Sequence, residues 1–401
     1  MNRSHHIEDT LPVAPLRLIV HESCQKLGEQ INEFLKEFHK QQNLAHRDQI
    51  TFMDYEPEDY RIGVSCPRFQ TGEAKGVLKE SVRGKDIFII ADVCNHSLTY
   101  KINGYENHYS PDDIFMDIKR IIAAMSGRAH RITVIMPFLY ESRQHKKYAR
   151  ESLDCAMALR ELAKMGVDDV ITFDAHDPKV QNSIPLCGFD NFLPPYEFIS
   201  ALMHYEKDLI IDKDHLVVIS PDEGALDRAV YFAGVLGVNT GMFYKRRDYT
   251  QVVNGKNPIV AHEFLGDDID GKDVIIIDDM ISSGGSMMDT AKQLKQMNAK
   301  HVYICCTFGL FTEGVGLFDK AYDNCYFDRI ITTNLAYHNP EINSRPYYIE
   351  ADLSHFLASI IDSMNHDIGL SKINKNTEMI TEILNAYNQR SQEDFYHDYK
   401  A

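Results

Sequence analysis

Short apolar segments of strand length alternate with helix-length amphipathic runs through most of this chain, and no other feature limits its possible folds as much. "LRLIVHE" (16–22) reads as a strand, and "CQKLGEQINEFLKEFH" (24–39) carries apolar residues at helical spacing. A polar stretch over 41–48 reads as a loop. The strand "GKDIFIIADV", the helix "DIFMDIKRIIAAMS", the strand "RITVIMPFL", the glycine-ended helix "ESLDCAMALRELAKMG" and the strand "DVITFDAH" follow. After an irregular "GFDNFLPP" the pattern restarts with the strand "HLVVISPDEG", the helix "ALDRAVYFAGVLG" and the loop "YKRRDYTQVVNGKNP". "DVIIIDDM", a helix from Met288, "HVYICCTFGL" and "FDRIITTNLA" complete the series. Apolar strands separated by helices of ten or more residues imply an α/β protein with parallel sheets covered on both faces. The proline-containing break near 193–195 divides the chain into domains over 1–190 and 191–365. A polar extension over 366–401 holds one further helix, "NTEMITEILNAYNQ".

The formal net charge of −17 argues against nucleic acid as the main partner, because phosphate backbones are held by surplus Lys and Arg. A small anionic substrate needs only a local cationic cluster and stays open. The eight cysteines form no C-x-x-C pair and read as reduced, mostly buried thiols. No run approaches the roughly 18 apolar residues of a membrane span, and "MNRSHHIEDT" has no signal-like core. The expectation is a cytoplasmic protein with no membrane attachment.

One segment carries more chemistry than the rest. In "VIIIDDMISSGGSMMDTAKQLK" the strand 274–277 delivers Asp278 and Asp279 to its carboxyl end. The loop Ser282, Ser283, Gly284, Gly285 and Ser286 then offers backbone N–H groups and a helix N-terminus to an anion. Carboxylates would repel a bare phosphate, so the ligand should have hydroxyls for the acids and a phosphate for the loop, as a sugar phosphate does. The loop lacks the lysine of a Walker A motif, and its adjacent glycines do not match a dinucleotide fingerprint.

This segment resembles the phosphoribosyl-diphosphate motif shared by phosphoribosyltransferases and ribose-phosphate diphosphokinases (PRPP synthetases). Five more segments resemble the second family: "RFQTGEAKGVLKESVRGKD", "YESRQHKK", "FDAHDPKVQ", "SPDEG" and "YKRRDYT". As bare features, an Asp before a helix is an N-cap and a basic triplet is a solvated loop. Their order across residues 60 to 350 is what makes the resemblance specific. It implies two phosphoribosyltransferase-like domains, each a mainly parallel sheet flanked by helices. It also implies transfer of the diphosphoryl group of MgATP to the anomeric hydroxyl of ribose 5-phosphate. Lys245 and Arg247 would then be catalytic. Phe69, Glu73, Arg143, Gln144 and His176 would bind ATP, and Asp222, Asp278, Asp279 and the 282–286 loop would bind ribose 5-phosphate. His176 and Asp222 would hold Mg2+, and the family suggests a homo-oligomer, dimer or hexamer, in which the Phe69 loop reaches a neighbour.

The sequence departs from the commonest bacterial pattern at Ser282 and Thr71, which replace acids. It also departs at His145 and Lys146, at Glu223, in an insertion near 39–58 and in the C-terminal extension. These mark a divergent member. The rival readings are a regulatory, non-catalytic subunit, disfavoured by the intact Lys245, Arg247, His176 and Asp222, and a phosphoribosyltransferase, disfavoured by the two-domain length.

Overall fold

The structure, a computed structural model, describes residues 10–45, 57–147, 149–247 and 259–389. The first half contributes β1 (Leu16–Val20), α1 (Gln25–Ala45), β2 (Val64–Ser65), β3 (Val77–Leu78), β4 (Asp86–Ile90), β5 (Thr99–Ile102), β6 (Tyr105–His108), α2 (Pro111–Met125), β7 (Arg131–Ile135), α3 (Asp154–Lys164), β8 (Asp169–Phe173) and β9 (Gly188–Phe192). Five of these strands form one sheet in the order β1-β4-β7-β8-β9, parallel throughout. All five residues of β4 are buried, as a strand covered on both faces requires. β2–β3 and β5–β6 are small antiparallel ribbons outside that sheet. The second turns on Asn103 and Gly104, both at positive φ (49° and 85°), which is the Asn-Gly hairpin signal.

The second half contributes α4 (Pro195–Tyr205), β10 (Leu216–Ser220), α5 (Leu226–Leu236), β11 (Asn239–Arg247), β12 (Ile259–Leu265), β13 (Asp273–Ile281), α6 (Gly285–Gln296), β14 (Val302–Gly309), α7 (Gly316–Asp323), β15 (Arg329–Thr333), β16 (Tyr348–Ala351), α8 (Ser354–Asn365) and α9 (Asn376–Gln389). Seven strands order as β12-β11-β10-β13-β14-β15-β16, parallel except for the β11–β12 pair. No helix among the described residues is long and apolar enough to cross a membrane.

Three local expectations change. Residues 41–45 belong to α1 rather than to a loop; their Gln, Leu and Ala are good helix formers, and polarity alone hid the continuation. "GFDNF" is not irregular but forms β9, the edge strand of the first sheet. Its Gly, Asp and Asn have poor strand propensity, and backbone pairing to β8 overrides it. An added Cβ at Gly188 would fall 1.5 Å from the Asp169 carboxylate, which would have to move aside. The segment 244–247 is the end of β11, paired with β12, and not a free loop.

The halves share one hydrophobic core that runs from Leu18 and Phe88 through Phe173 and Ile199 to Val218 and Phe356. α8 crosses back onto the first half, where His355 meets Phe34 and Phe38 edge-on at 5.0 and 5.2 Å. At its end the Arg131 guanidinium donates to both oxygens of the fully buried Asp86 (2.9 and 2.6 Å) and to the Met364 carbonyl (2.6 Å). Removing one partner of a buried pair leaves the other charge uncompensated. Arg131→Ala should therefore lose roughly 3 kcal/mol, measured as a lowered urea midpoint.

Candidate active site

β10 connects to β11 on one side, while β13 lies on its other side, so the second sheet changes direction between β10 and β13. Ligands of open α/β sheets bind in the crevice at such a point, beyond the carboxyl ends of the strands. A cleft of about 260 Å3 opens there. Asp222 follows β10. Its Oδ1 accepts from the backbone N–H of Gly224 (2.9 Å) and Ala225 (3.3 Å), and this turn launches α5.

β13 continues past the acids to Ile281, so Asp278 and Asp279 lie within its last residues rather than beyond them. Successive strand side chains face opposite ways, and the two acids meet different partners. The Asp279 carboxylate accepts from His176 Nδ1 at 2.7 Å, a bond across 103 residues that joins the exit of β8 to that of β13. Asp278 lies 3.6 Å from the Arg228 guanidinium on α5. Arg228 in turn donates to Asp174 at 2.6 Å, and Thr307 donates to the other Asp174 oxygen at 2.6 Å.

Burial, then the adjacent Asp279 charge, pushes the Asp278 carboxyl well above the usual range. Burial also works on Asp279, but the His176 hydrogen bond and the Arg228 charge outweigh it and hold that carboxyl below the usual value. Burial opposes the Arg228 charge, yet Asp174, Asp279 and Asp278 together raise its pKa.

Gly284 precedes α6 in the left-handed region (φ 85°), and an added Cβ would stand 2.2 Å from the buried Phe318 ring. Only glycine lets the Ser282–Ser286 loop turn this tightly over α7. The loop lines the cleft with Asp222, Asp278, Asp279, His176 and Arg143. Arg143 lies against Met280, with Nη2 2.7 Å from its sulfur.

Other expected site residues are elsewhere. Phe69 is half-exposed on a turn away from the cleft, and Glu73 accepts there from Thr71 (3.0 Å). Gln144 donates to the carbonyls of Ser152 (2.7 Å) and Lys146 (3.3 Å) and does not line the cleft. Lys245 and Arg247 end β11, but their side chains lie outside the described residues, as does 248–258. Among the described residues no three His, Cys, Asp or Glu side chains form a preformed metal site.

Sequence reasoning missed Asp174, Arg228 and Thr307. Asp174 stands two residues before His176 in the same segment, and Arg228 lies six residues after Asp222. Thr307 sits in β14 with no local signal.

Two parallel-sheet halves, the second with an acidic strand end and a Ser/Gly loop at its switch point, define a phosphoribosyltransferase-type α/β protein. Residues 16–166 match the model for the N-terminal domain of ribose phosphate pyrophosphokinase, and residues 191–336 match the phosphoribosyl transferase domain. Ribose-phosphate pyrophosphokinase of Corynebacterium efficiens is 31% identical over 267 residues, 66% of this chain and 74% of that protein. The Vibrio cholerae enzyme of that name is 29% identical over 76% of this chain and 88% of its own length. A crystal structure of phosphoribosylpyrophosphate synthetase from Mycobacterium smegmatis has the same fold, with a TM-score of 0.66 and 22% identity over 88% of this chain and 99% of that one. The chain belongs to the ribose-phosphate pyrophosphokinase family of enzymes.

Gly284→Ala should destabilise the protein by about 1–3 kcal/mol through left-handed strain and overlap with Phe318. Gly285→Ala, at an unstrained helical position with open space around its Cβ, should not. Comparing the two melting temperatures checks the geometry of the loop.

Proposed function

We propose that this chain is an active ribose-phosphate diphosphokinase, which moves the diphosphoryl group of ATP onto ribose 5-phosphate for nucleotide biosynthesis. The observation that carries this reading is the His176–Asp279 hydrogen bond (2.7 Å), by which residues of both halves share one cleft. The anomeric oxygen attacks the β-phosphorus and its proton is released. The bond from that phosphorus to the α–β bridging oxygen breaks, and AMP leaves. Such transfers depend mainly on alignment and charge stabilisation.

Asp278 and Asp279 would accept the ribose hydroxyls, helped by the several lone pairs each carboxylate offers. The N–H groups of the Ser282–Ser286 loop and the α6 N-terminus would hold the 5-phosphate. Arg143 and His176, on the first-domain wall, would meet ATP phosphate. Arg228 would keep the acids from repelling one another as the substrate enters.

Mg2+ usually retains waters and substrate phosphates and takes only one or two protein carboxylates, so a site without a preformed cage fits it. Asp222 would hold it directly and His176 through a water, since imidazole suits magnesium poorly. When bound, the ion would spread the negative charge of the phosphates.

Phe69 and Glu73 lie outside this chain's own cleft, which supports their serving the nucleotide of a second copy in a homo-oligomer, dimer or hexamer. Gln144 belongs to the proposed ATP wall by position only. The division into residues 1–190, 191–365 and 366–401, and a cytoplasmic location, belong to the same reading. A phosphoribosyltransferase is disfavoured because the first half matches a domain named for the pyrophosphokinase.

Incubation with ATP, Mg2+ and ribose 5-phosphate should yield AMP and PRPP in equal amounts. Absence of both would leave a regulatory subunit, and PRPP consumed in the presence of a base would mean a transferase. Lys245→Ala should lower kcat at least about a hundredfold with ribose 5-phosphate affinity little changed, since a transition-state cation is worth around 10³–10⁵. Phe69→Ala should raise KM for ATP roughly tenfold, a stacking loss of about 1.4 kcal/mol, without changing the KM for ribose 5-phosphate.

A further inference from the structure

Arg143 and His176 line the cleft from the first half, and they stand on two different loops, after β7 and after β8. The His176 side chain is 38% exposed, and its Nδ1 bonds to the buried Asp279 carboxylate at 2.7 Å. Asp279 is a firm anchor, because β13 is paired on both sides, with β10 and β14. Yet one hydrogen bond fixes a point on the imidazole and leaves its plane free to swing. Nε2 is the nitrogen left to face the cleft, and a swing displaces it. A misplacement of about 1 Å in a reacting site can cost roughly a hundredfold in rate, so something else should hold the ring.

His145 is placed to do so. Its ring centroid lies 5.3 Å from that of His176, with the planes 55° apart, within the range of favourable ring pairs. The His145 side chain is 8% exposed and does not line the cleft, so it backs His176 instead of facing substrate. The ring contact is the same whichever nitrogen carries the hydrogen.

His145 is itself held from two directions. Its Nδ1 lies 3.3 Å from the Ser142 carbonyl, and its Nε2 lies 3.6 Å from the Asp177 carboxylate. Ser142 is buried in a turn closed by its own N–H to the Leu139 carbonyl (3.1 Å) and by the Gln144 N–H to the Glu141 carbonyl (2.8 Å). The other Asp177 oxygen accepts the Lys179 N–H at 2.9 Å. The imidazole thus ties the loop that carries Arg143 to the loop that carries His176.

We infer that His145 is a positioning residue for the transfer reaction proposed above, on which this inference rests. Its ring sets the plane of His176, so that Nε2 is aimed into the cleft in fixed relation to Arg143. His145 is also one of the positions at which this chain departs from the commonest bacterial pattern. The brace is therefore particular to chains that carry a ring here.

Two substitutions separate the ring from its nitrogens. His145→Asn keeps a polar group near Ser142 and loses the ring pair, while His145→Phe keeps a ring and loses the nitrogens. In His145→Asn, kcat/KM for ATP should fall at least about tenfold, with KM for ribose 5-phosphate within about twofold of wild type. His145→Phe should recover most of that loss. Wild-type kcat/KM for ATP in His145→Asn, no recovery in His145→Phe, or an equal rise in both KM values would overturn the inference. A second readout needs no substrate: the NMR line of the His176 Cε1–H in the ligand-free, full-length protein, assigned by its absence in His176→Gln. It should be sharp in the wild type and in His145→Phe, and broadened or doubled in His145→Asn. Equal line widths in all three would sink the brace even if the protein makes PRPP. The expected pattern in a protein that makes no AMP and PRPP would keep the brace and remove the reaction. Should His145→Asn fold poorly, His145→Gln takes its place in both measurements.

Discussion

Two carboxylates side by side in a buried strand repel one another and lose their hydration, and each loss is worth several kcal/mol unless a partner answers it. Asp278 and Asp279 are in that position, and most of the molecule's architecture near the cleft serves to compensate them. Their partners come from different halves. Arg228 on α5 belongs to the second domain, and His176 to the first. Arg228 could not remain buried on these two acids alone without competing for them, and Asp174 of the first domain takes its Nε while Thr307 steadies Asp174. The acidic pair therefore pins the two halves to each other. Removing Arg228 would leave three acids facing one another, which explains why a residue that lines only the wall of the cleft governs its charge.

The same arrangement resolves the apparent contradiction of acids beside a phosphate loop. Asp279 bonds to His176 and Asp278 faces the Arg228 guanidinium, so the strand end presents carboxylate acceptors whose charge is compensated rather than two bare negative charges. A sugar hydroxyl can bond to either. The phosphate of the proposed substrate would meet the chain at the turn at Gly284, where the Ser282–Ser286 loop offers N–H groups and no carboxylate.

Much of the fold was legible because buried parallel strands are apolar throughout, and runs such as 274–277 and 216–219 cannot be confused with surface. What was hidden depended on pairing instead of composition. β9 reads as a turn by its Gly, Asp and Asn, and the end of β11 reads as a basic loop, yet both are ordered by the neighbouring strand. At the site, the acidic pair, the Ser/Gly loop, Asp222, His176 and Arg143 could be picked out as motifs with a chemistry of their own. Asp174, Arg228 and Thr307 could not, because each acts through a residue distant in sequence. The bond between His176 and Asp279 likewise has no local trace.

The Phe69 turn shows how sequence and structure divide the question. Its root is rigid. Arg68 lies buried with two bonds to Asp117 (2.7 and 2.8 Å) and beneath the Tyr109 ring at 4.8 Å, and Asp117 also binds Arg120 at 2.7 Å. The turn itself is closed by Phe69 N–H to the Glu73 carbonyl (2.7 Å) and by Gly72 at φ 90°. Yet this well-anchored turn holds an aromatic ring 51% exposed. A surface loop under no constraint would carry a polar residue or move freely. In the homo-oligomer proposed above, such an anchored turn would lower the entropy lost when the ring is covered. The charge-paired root belongs to the fold of the chain, and the ring is the part of the turn that the fold leaves uncovered.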